Sequence, residues 1–345
     1  MSDAKMQATV FLAPGKLDFR QVAVPDIAAD EILVKVRTAL TCGTDVKTYK
    51  RGHLKYDPPT LFGHEFGGDI VAVGSQVRGF AVGMRVVAGN TAPCNACYFC
   101  KHGQPNLCDD LIVNLGAFAE YIRIPARIVA QNLFTIPADM SYRAAALTEP
   151  LACVIHGQDL VNIQMGDTVA IVGAGGPIGL MHLQVARHSG ATQLIAIDIN
   201  DARLAVAQRC GATRIVNSTR ENALAIVREL TVGRGADVVI ESAGALPAWQ
   251  LALDLVRKGG RVLWFGGLPS GTKIELDTTR VHYDEISIFG GYHLTPLTAH
   301  KAFDLLRAGI VDAATLITDE RPLARLEEAL QMMADGRAVK IAIVP

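Results

Sequence analysis

The sequence predicts an α/β protein in two parts: a compact, mostly antiparallel β domain, and a doubly wound domain built on a parallel sheet. Three observations carry this. From Val169 onward, short continuous apolar runs alternate with helical stretches. Before about residue 150 the texture is different, with apolar and charged residues interleaved in runs that glycine interrupts. Residues 173–179 then form a glycine turn between the first continuous run and the helix that follows it. Runs that are apolar throughout suit strands buried on both faces, as in a parallel sheet covered by helices; interleaving suits an antiparallel sheet with one wet face.

In the first part, Ile32, Val34 and Val36 alternate with Leu33, Lys35 and Arg37, and residues 67–74 and 116–124 read as further short strands. In the second part the strands are expected at 169–172, 194–198, 214–217, 237–241, 261–266 and 286–290. Helices are expected between them at 177–187, 201–209, 221–230 and 247–257, with Gly190, Gly211, Gly233 and Gly259 just past their ends. The last segments, 298–306, 326–333 and 340–344, are too short to form a core of their own and are expected to return to the first domain. The division predicted is therefore residues 1–152 with 292–345 as one domain and 153–291 as the other.

Composition excludes several functions. The 345 residues carry 33 Lys and Arg against 34 Asp and Glu, a formal net charge of -1, and no basic stripe that could neutralise a phosphate backbone. Nucleic acid is not an expected partner. No run approaches the roughly 18 apolar residues of a membrane span, and the N-terminus lacks an apolar core, so a cytoplasmic protein with no membrane contact is expected. Seven cysteines, an odd number with four at metal-binding spacing, fit a reducing compartment better than a disulfide framework.

Those four are Cys94, Cys97, Cys100 and Cys108, spaced C-x2-C-x2-C-x7-C among Pro93, Asn95, Gly103, Pro105 and Asn106. Thiolates this close in a turn-rich loop suit a closed tetrahedral zinc, which stabilises a lobe (93–109) and leaves no position open for chemistry. An iron–sulfur cluster shares the opening spacing, but the bacterial run asks for x3 and a following proline where this chain has x7 and Asp109. Disulfides are the remaining alternative.

The glycine turn reads as a dinucleotide site. Strand, turn, helix and acid arrive in order, with Asp198 at the end of the next strand, nineteen residues beyond Gly179. Counted back from Gly179, the fingerprint places Ala174, Gly176 and Gly179 in the three glycine positions, with Pro177 and Ile178 opening the helix. Small residues let the backbone approach a pyrophosphate, and the helix N-terminus supplies N–H groups. Asp198 would bond ribose hydroxyls and repel a 2′-phosphate, and Ile199-Asn200 adds no cation, so NAD is expected over NADP. Arg203 stands close enough to reach the ribose or adenine. Gly244, and Phe265, Gly266 and Gly267, end later strands at the edge where ligands of open sheets lie. Elsewhere Cys42, His64, Glu65 and Glu149 each sit in a turn, and one thiolate, one imidazole and one carboxylate compose an open metal site rather than a closed one. Cys153, His156 and Cys210 read as packing residues.

Taken together, Cys42-Gly-Thr-Asp45, Gly63-His-Glu65, the four-cysteine lobe, Gly116-Ala-Phe-Ala-Glu-Tyr121, Glu149-Pro-Leu151 and the glycine turn resemble, over the full length, the zinc-dependent medium-chain dehydrogenases, in particular the sorbitol (polyol) and L-threonine dehydrogenase branch. The resemblance implies a GroES-like catalytic domain and a Rossmann domain. It also implies about two zinc ions per subunit: a structural one on the four cysteines, and a catalytic one on Cys42, His64 and either Glu65 or Glu149, directly or through water. Thr44 takes the place of the hydroxyl that bonds the reacting oxygen, and His53 the outer end of a proton relay, for which a side chain titrating near neutrality is suited. Tyr49 and Phe118 are candidates for lining the substrate pocket. The activity implied is hydride transfer between NAD and a secondary alcohol of a polyol, sugar or related small molecule, or the corresponding ketone. L-threonine 3-dehydrogenase is the alternative, and a non-catalytic NAD-binding protein the rival from another class. The apolar strand at 286–290, with no charge inside it, would be the outermost of its sheet and invites a twin, so a homodimer or homotetramer is expected.

Overall fold

The computed structural model describes residues 4–53 and 56–345. Grouped by compactness, the chain forms two units: Met1–Ala152 with Leu294–Ala308 and Ile317–Pro345, and Cys153–His293 with Gly309–Leu316. The expected return at 292 is thus interrupted. Gly309–Leu316 goes back to the nucleotide unit, where the backbone N–H of Asp312 donates to the Gln184 side chain at 2.7 Å.

The first unit opens with β1 (Lys5–Ala13), β2 (Lys16–Ala23) and β3 (Ile32–Leu40), followed by β4 (Thr60–Leu61), β5 (Phe66–Val73), β6 (Arg85–Ala88), β7 (Thr91–Ala92), β8 (Ile112–Val113), β9 (Tyr121–Ile124) and β10 (Leu133–Thr135). β2, β1 and β4 form a small antiparallel sheet. The second unit carries β11 (Thr168–Val172), β12 (Gln193–Asp198), β13 (Arg214–Asn217), β14 (Ala236–Glu241), β15 (Val256–Trp264) and β16 (Ser287–Gly290), all parallel, in the order 13-12-11-14-15-16. The chain then returns with β17 (Ile317–Pro322) and β18 (Lys340–Val344), which complete the larger sheet of the first unit in the order 10-6-5-3-18-17, with β9 also on β3.

Several boundaries differ from expectation: the helix expected over 247–257 ends at Leu255 and the strand expected over 261–266 is Val256–Trp264, and two others differ for local reasons. The helix expected from 221 begins at Ala223, because the Asn222 side chain caps it by accepting from the N–H of Ala225 at 3.0 Å. The strand expected over 116–124 joins a ladder only at Tyr121–Ile124. Its first half instead clamps the turn before His64: the N–H groups of Gly116 and Ala117 both donate to the carbonyl of Gly63, at 2.9 and 3.1 Å, and that of Phe118 to Phe62 at 2.9 Å. Gly63 has φ +86, and a Cβ there would meet the Phe118 ring at 2.5 Å, so only glycine fits. Phe118 is fully buried against Phe62, a core residue and not a pocket wall. Tyr49 is likewise committed, its hydroxyl bonding the carboxylate of Glu327. β17 was not foreseen: its alternation Ile317-Thr-Asp-Glu-Arg-Pro322 is polar on both sides, as an edge strand tolerates.

Candidate active site and nucleotide turn

Four sulfurs converge in the lobe. Cys97 Sγ lies 3.5 Å from Cys100 Sγ and 3.8 Å from Cys108 Sγ, and Cys94 Sγ 4.0 Å from Cys100 Sγ. Ligands about 2.3 Å from a tetrahedral zinc lie about 3.8 Å apart, so this set fits that ion. All seven cysteines are free thiols in this structure. Backbone N–H groups of Ala96 and Cys97 donate to Cys94 Sγ, and that of Cys94 to Cys108 Sγ. Backbone donors from Cys100 and Asp109 pull the Cys97 thiol down to about 6, whereas burial and its thiol neighbours push Cys100 up to about 12.

The second cluster is assembled from distant segments of the first unit. Cys42 caps the helix Gly43–Arg51, its sulfur accepting from the N–H of Thr44 at 3.4 Å while Asp45 Oδ2 accepts from the N–H of Cys42 at 2.8 Å. His64 and Glu65 lie on the turn between β4 and β5. The ligand atoms of Cys42, His64 and Glu65 are all within 4.8 Å of one another. Burial opposes a charge on His64, but Tyr56, Asp45 and Cys42 raise it well above the ordinary histidine value. Glu65 is fully buried: Oε2 accepts from Lys340 Nζ at 2.5 Å, and Oε1 has no hydrogen-bond partner among the described residues. Burial pushes its carboxyl up to about 7 despite the pull of Lys340, and Glu149 adds to the rise. An orphaned buried carboxylate oxygen beside a thiol and an imidazole is what a divalent cation would satisfy.

Glu149 falls outside that set. It stands on the helix Thr148–Val161, one turn before Cys153. Thr44 is half-buried on the first turn after Cys42, and His53 is exposed at the far end of the same segment, its ring edge-on to Tyr56 at 5.5 Å. Three residues of this site carried no signal of their own. Asp45, inside the Cys-Gly-Thr-Asp motif, has Oδ1 3.3 Å from His64 Nδ1. Tyr56 places its hydroxyl 3.1 Å from the same nitrogen, and burial pushes its phenol well up. Lys340, on β18, is buried with Nζ also donating to the carbonyl of Thr41 at 2.7 Å.

In the second unit the turn after β11 departs from the expected register. The left-handed residue is Gly173, φ +79, whose Cβ would meet the backbone N of Ala243 at 2.7 Å, so the strand-end glycine is Gly173 and not Ala174. Ala174 instead lies under Gly179, where a Cβ would come within 2.6 Å of its Cα. Gly176 caps the helix Pro177–His188, with Pro177 first and Ile178 second. Gly175 donates its N–H to Asp198 Oδ2 at 2.9 Å, while Asp198 Oδ1 accepts from the N–H groups of Ile199 and Asn200. Arg203 stands beside this turn: a Cβ on Gly175 would strike its Cβ at 2.5 Å. At the ends of β14 and β15, Gly266 packs so closely on Gly244 that a Cβ would fall 2.3 Å from its N, and buried Glu241 Oε1 accepts from both Ala243 and Gly244. Phe265 packs edge-on against His182, and Gly267 is exposed. The three turns thus sit at the carboxyl ends of the sheet, on both halves of a dinucleotide fold.

The fold and the two clusters define a zinc dehydrogenase, and sequence comparison agrees. Residues 28–137 match the alcohol dehydrogenase GroES-like domain family, and residues 177–308 the zinc-binding dehydrogenase family. The chain is 36% identical over 350 residues to a sorbitol dehydrogenase of Bacillus subtilis, covering 99% of this chain and 97% of that protein. It is 34% identical over 339 residues to the L-threonine 3-dehydrogenase of the same organism, with 94% of each covered. A structure described as a zinc-binding dehydrogenase of Sinorhizobium meliloti 1021, bound to NADP, superposes with a TM-score of 0.93 at 33% identity, over 99% of this chain and 100% of that one. The chain belongs to the zinc-dependent medium-chain dehydrogenase family, and is an oxidoreductase acting on CH–OH groups with zinc and a nicotinamide cofactor. No helix among the described residues is long and apolar enough to cross a membrane.

Proposed function

We propose that this chain oxidises a secondary alcohol of a small polyol, sugar or related hydroxylated molecule, or reduces the corresponding ketone, with NAD as the hydride carrier. The observation that carries the reading is the convergence of Cys42, His64 and Glu65, with Glu65 Oε1 left for a cation and Thr44 beside the thiol. On this reading Cys42, His64 and Glu65 hold the catalytic zinc, Glu149 stands near enough to exchange with Glu65 or act through water, and Cys94, Cys97, Cys100 and Cys108 hold a structural zinc. When bound, the catalytic zinc supplies Lewis acidity that lowers the pKa of a hydroxyl and the nicotinamide accepts a hydride. The protein's own part is to orient and to move a proton. Thr44 hydrogen-bonds the substrate hydroxyl and starts a proton relay, handing its own proton on as it takes the substrate's, and exposed His53 is the outer end from which a proton reaches water.

Support for NAD is the carboxylate of Asp198 at the end of β12, followed by no cation until Arg203; the NADP-bound relative argues the other way. Ala174, Gly176, Pro177, Ile178 and Gly179 would cradle the pyrophosphate, with Gly244, Phe265, Gly266 and Gly267 on the nicotinamide half. The sorbitol dehydrogenase at 36% identity favours a polyol; the L-threonine 3-dehydrogenase at 34% supports a second reading, a β-hydroxy amino acid. The free thiols fit a cytoplasmic setting. β16, paired only with β15, leaves an edge for a second copy, supporting a homodimer or homotetramer.

A substrate screen following NADH absorbance, run on polyols, sugars and L-threonine with NAD and NADP in parallel, tests the whole. Turnover on polyols with NAD is expected; turnover confined to L-threonine selects the second reading, and no turnover by zinc-loaded protein sinks both. Light scattering at micromolar protein should give a dimer or tetramer, and a monomer would contradict the pairing.

A further inference from the structure

A histidine that binds a metal through one ring nitrogen needs the other held, because that partner fixes both tautomer and ring orientation. At His64 the hydrogen bond on Nδ1 comes from outside every motif that marks the site. Asp45 Oδ1 also faces this nitrogen, at 3.3 Å, as a charged partner, but meets no hydrogen-bond geometry among the described residues, while its sister oxygen is tied to the helix cap at Cys42. Tyr56 instead makes the bond, at 3.1 Å.

We propose that Tyr56 is a positioning residue for the metal at Cys42, His64 and Glu65: its hydroxyl holds the His64 ring so that Nε2 faces the cation. The proposal rests on reading this cluster as a zinc centre. The phenol oxygen accepts the Nδ1–H of the tautomer whose Nε2 is free to ligate. Tyr56 can do this because its own ring is fixed. It is buried, with Phe62 edge-on at 5.7 Å and Phe11 edge-on at 6.3 Å, and its N–H donates to the carbonyl of His53 at 3.0 Å. Aromatic packing on this scale leaves the hydroxyl little room to move, and a buried phenol must find a polar partner.

The test is zinc release from the zinc-loaded enzyme into an excess of chelator, followed with a metallochromic indicator, in the wild type and in Tyr56→Phe. The four-cysteine zinc is the internal control. Tyr56→Phe should lose one zinc about 10- to 100-fold faster, the range for removing such an outer partner, while the other leaves at the wild-type rate. At limiting zinc kcat should fall with KM for NAD unchanged. Tyr56→Met, which also lacks the hydroxyl but packs differently, should behave alike and serves if the phenylalanine variant does not fold. Release within about twofold of wild type in a folded variant overturns the proposal, as does equal loosening of both ions, which a general packing defect would produce. A wild-type chain carrying only the four-cysteine zinc would instead overturn the zinc reading itself, and this proposal with it.

Discussion

The two ligand clusters are built in opposite ways. The four-cysteine lobe takes all its ligands from fifteen consecutive residues, lies near the surface, and satisfies its sulfurs with its own backbone N–H groups. The Cys42 cluster draws on a helix cap, the turn between β4 and β5 and the last strand of the chain, buries His64 and Glu65, and depends on a lysine 275 residues from the glutamate it neutralises. A local cluster can be rigid without being reactive, because its metal shell is closed. A cluster assembled across the fold can keep a ligand position open, but its partners must then be buried and exactly compensated in charge.

Changes at the second cluster should therefore cost most. Cys42→Ser should lower kcat by at least about 10³-fold, since Lewis acidity contributes several kcal/mol; steady-state turnover near wild type would remove the cluster from catalysis. Lys340→Met leaves Glu65 buried without its partner, both side chains being about 1% exposed or less. It should destabilise by about 3–5 kcal/mol in denaturant unfolding, and adding Glu65→Gln should recover most of that. An unchanged midpoint would mean the pair is not formed in solution. Thr44→Val should cost about 10²-fold in kcat with NAD affinity retained, as expected for a lost proton acceptor; a change only in KM would assign Thr44 to binding.

The lobe should respond to protons rather than to distant partners. Burial pushes Cys100 up to about 12 and raises Cys108, so without metal both keep their protons at neutral pH. Zinc entry must displace them, and its apparent affinity at the lobe should rise with pH by about tenfold for each half unit near neutrality. Chelator competition at several pH values measures this, and a flat profile would mean the thiols are already ionised.

The same contrast explains what could be read from the sequence. The four cysteines and the alternation of six strands with helices in the second unit are written in local spacing and periodicity, and so are legible in the sequence. Cys42, His64, Glu65 and Glu149 are each marked by a short motif, but only the fold shows that Cys42, His64 and Glu65 lie together. Lys340 was hidden because Lys340-Ile-Ala-Ile-Val reads as a short apolar strand with a charge at its end, and nothing local says that the charge points inward. Tyr56 was hidden for a like reason: a lone tyrosine in a loop gains meaning only from Phe11, Phe62 and His64 around it. The strand at Ile317–Pro322 and the return of Gly309–Leu316 to the nucleotide unit also depend on pairing across the chain. The register of the turn departs from expectation because the turn holds one residue more than the fingerprint, and the bond from Gly175 to Asp198 is visible only in three dimensions.

The most direct measurement is the zinc content of purified wild-type and Cys42→Ser protein, taken alongside NAD affinity. About two ions per subunit should fall to about one, with NAD binding nearly unchanged. Equal zinc in the two proteins, or a wild type that holds a single ion, would contradict an open metal site at Cys42.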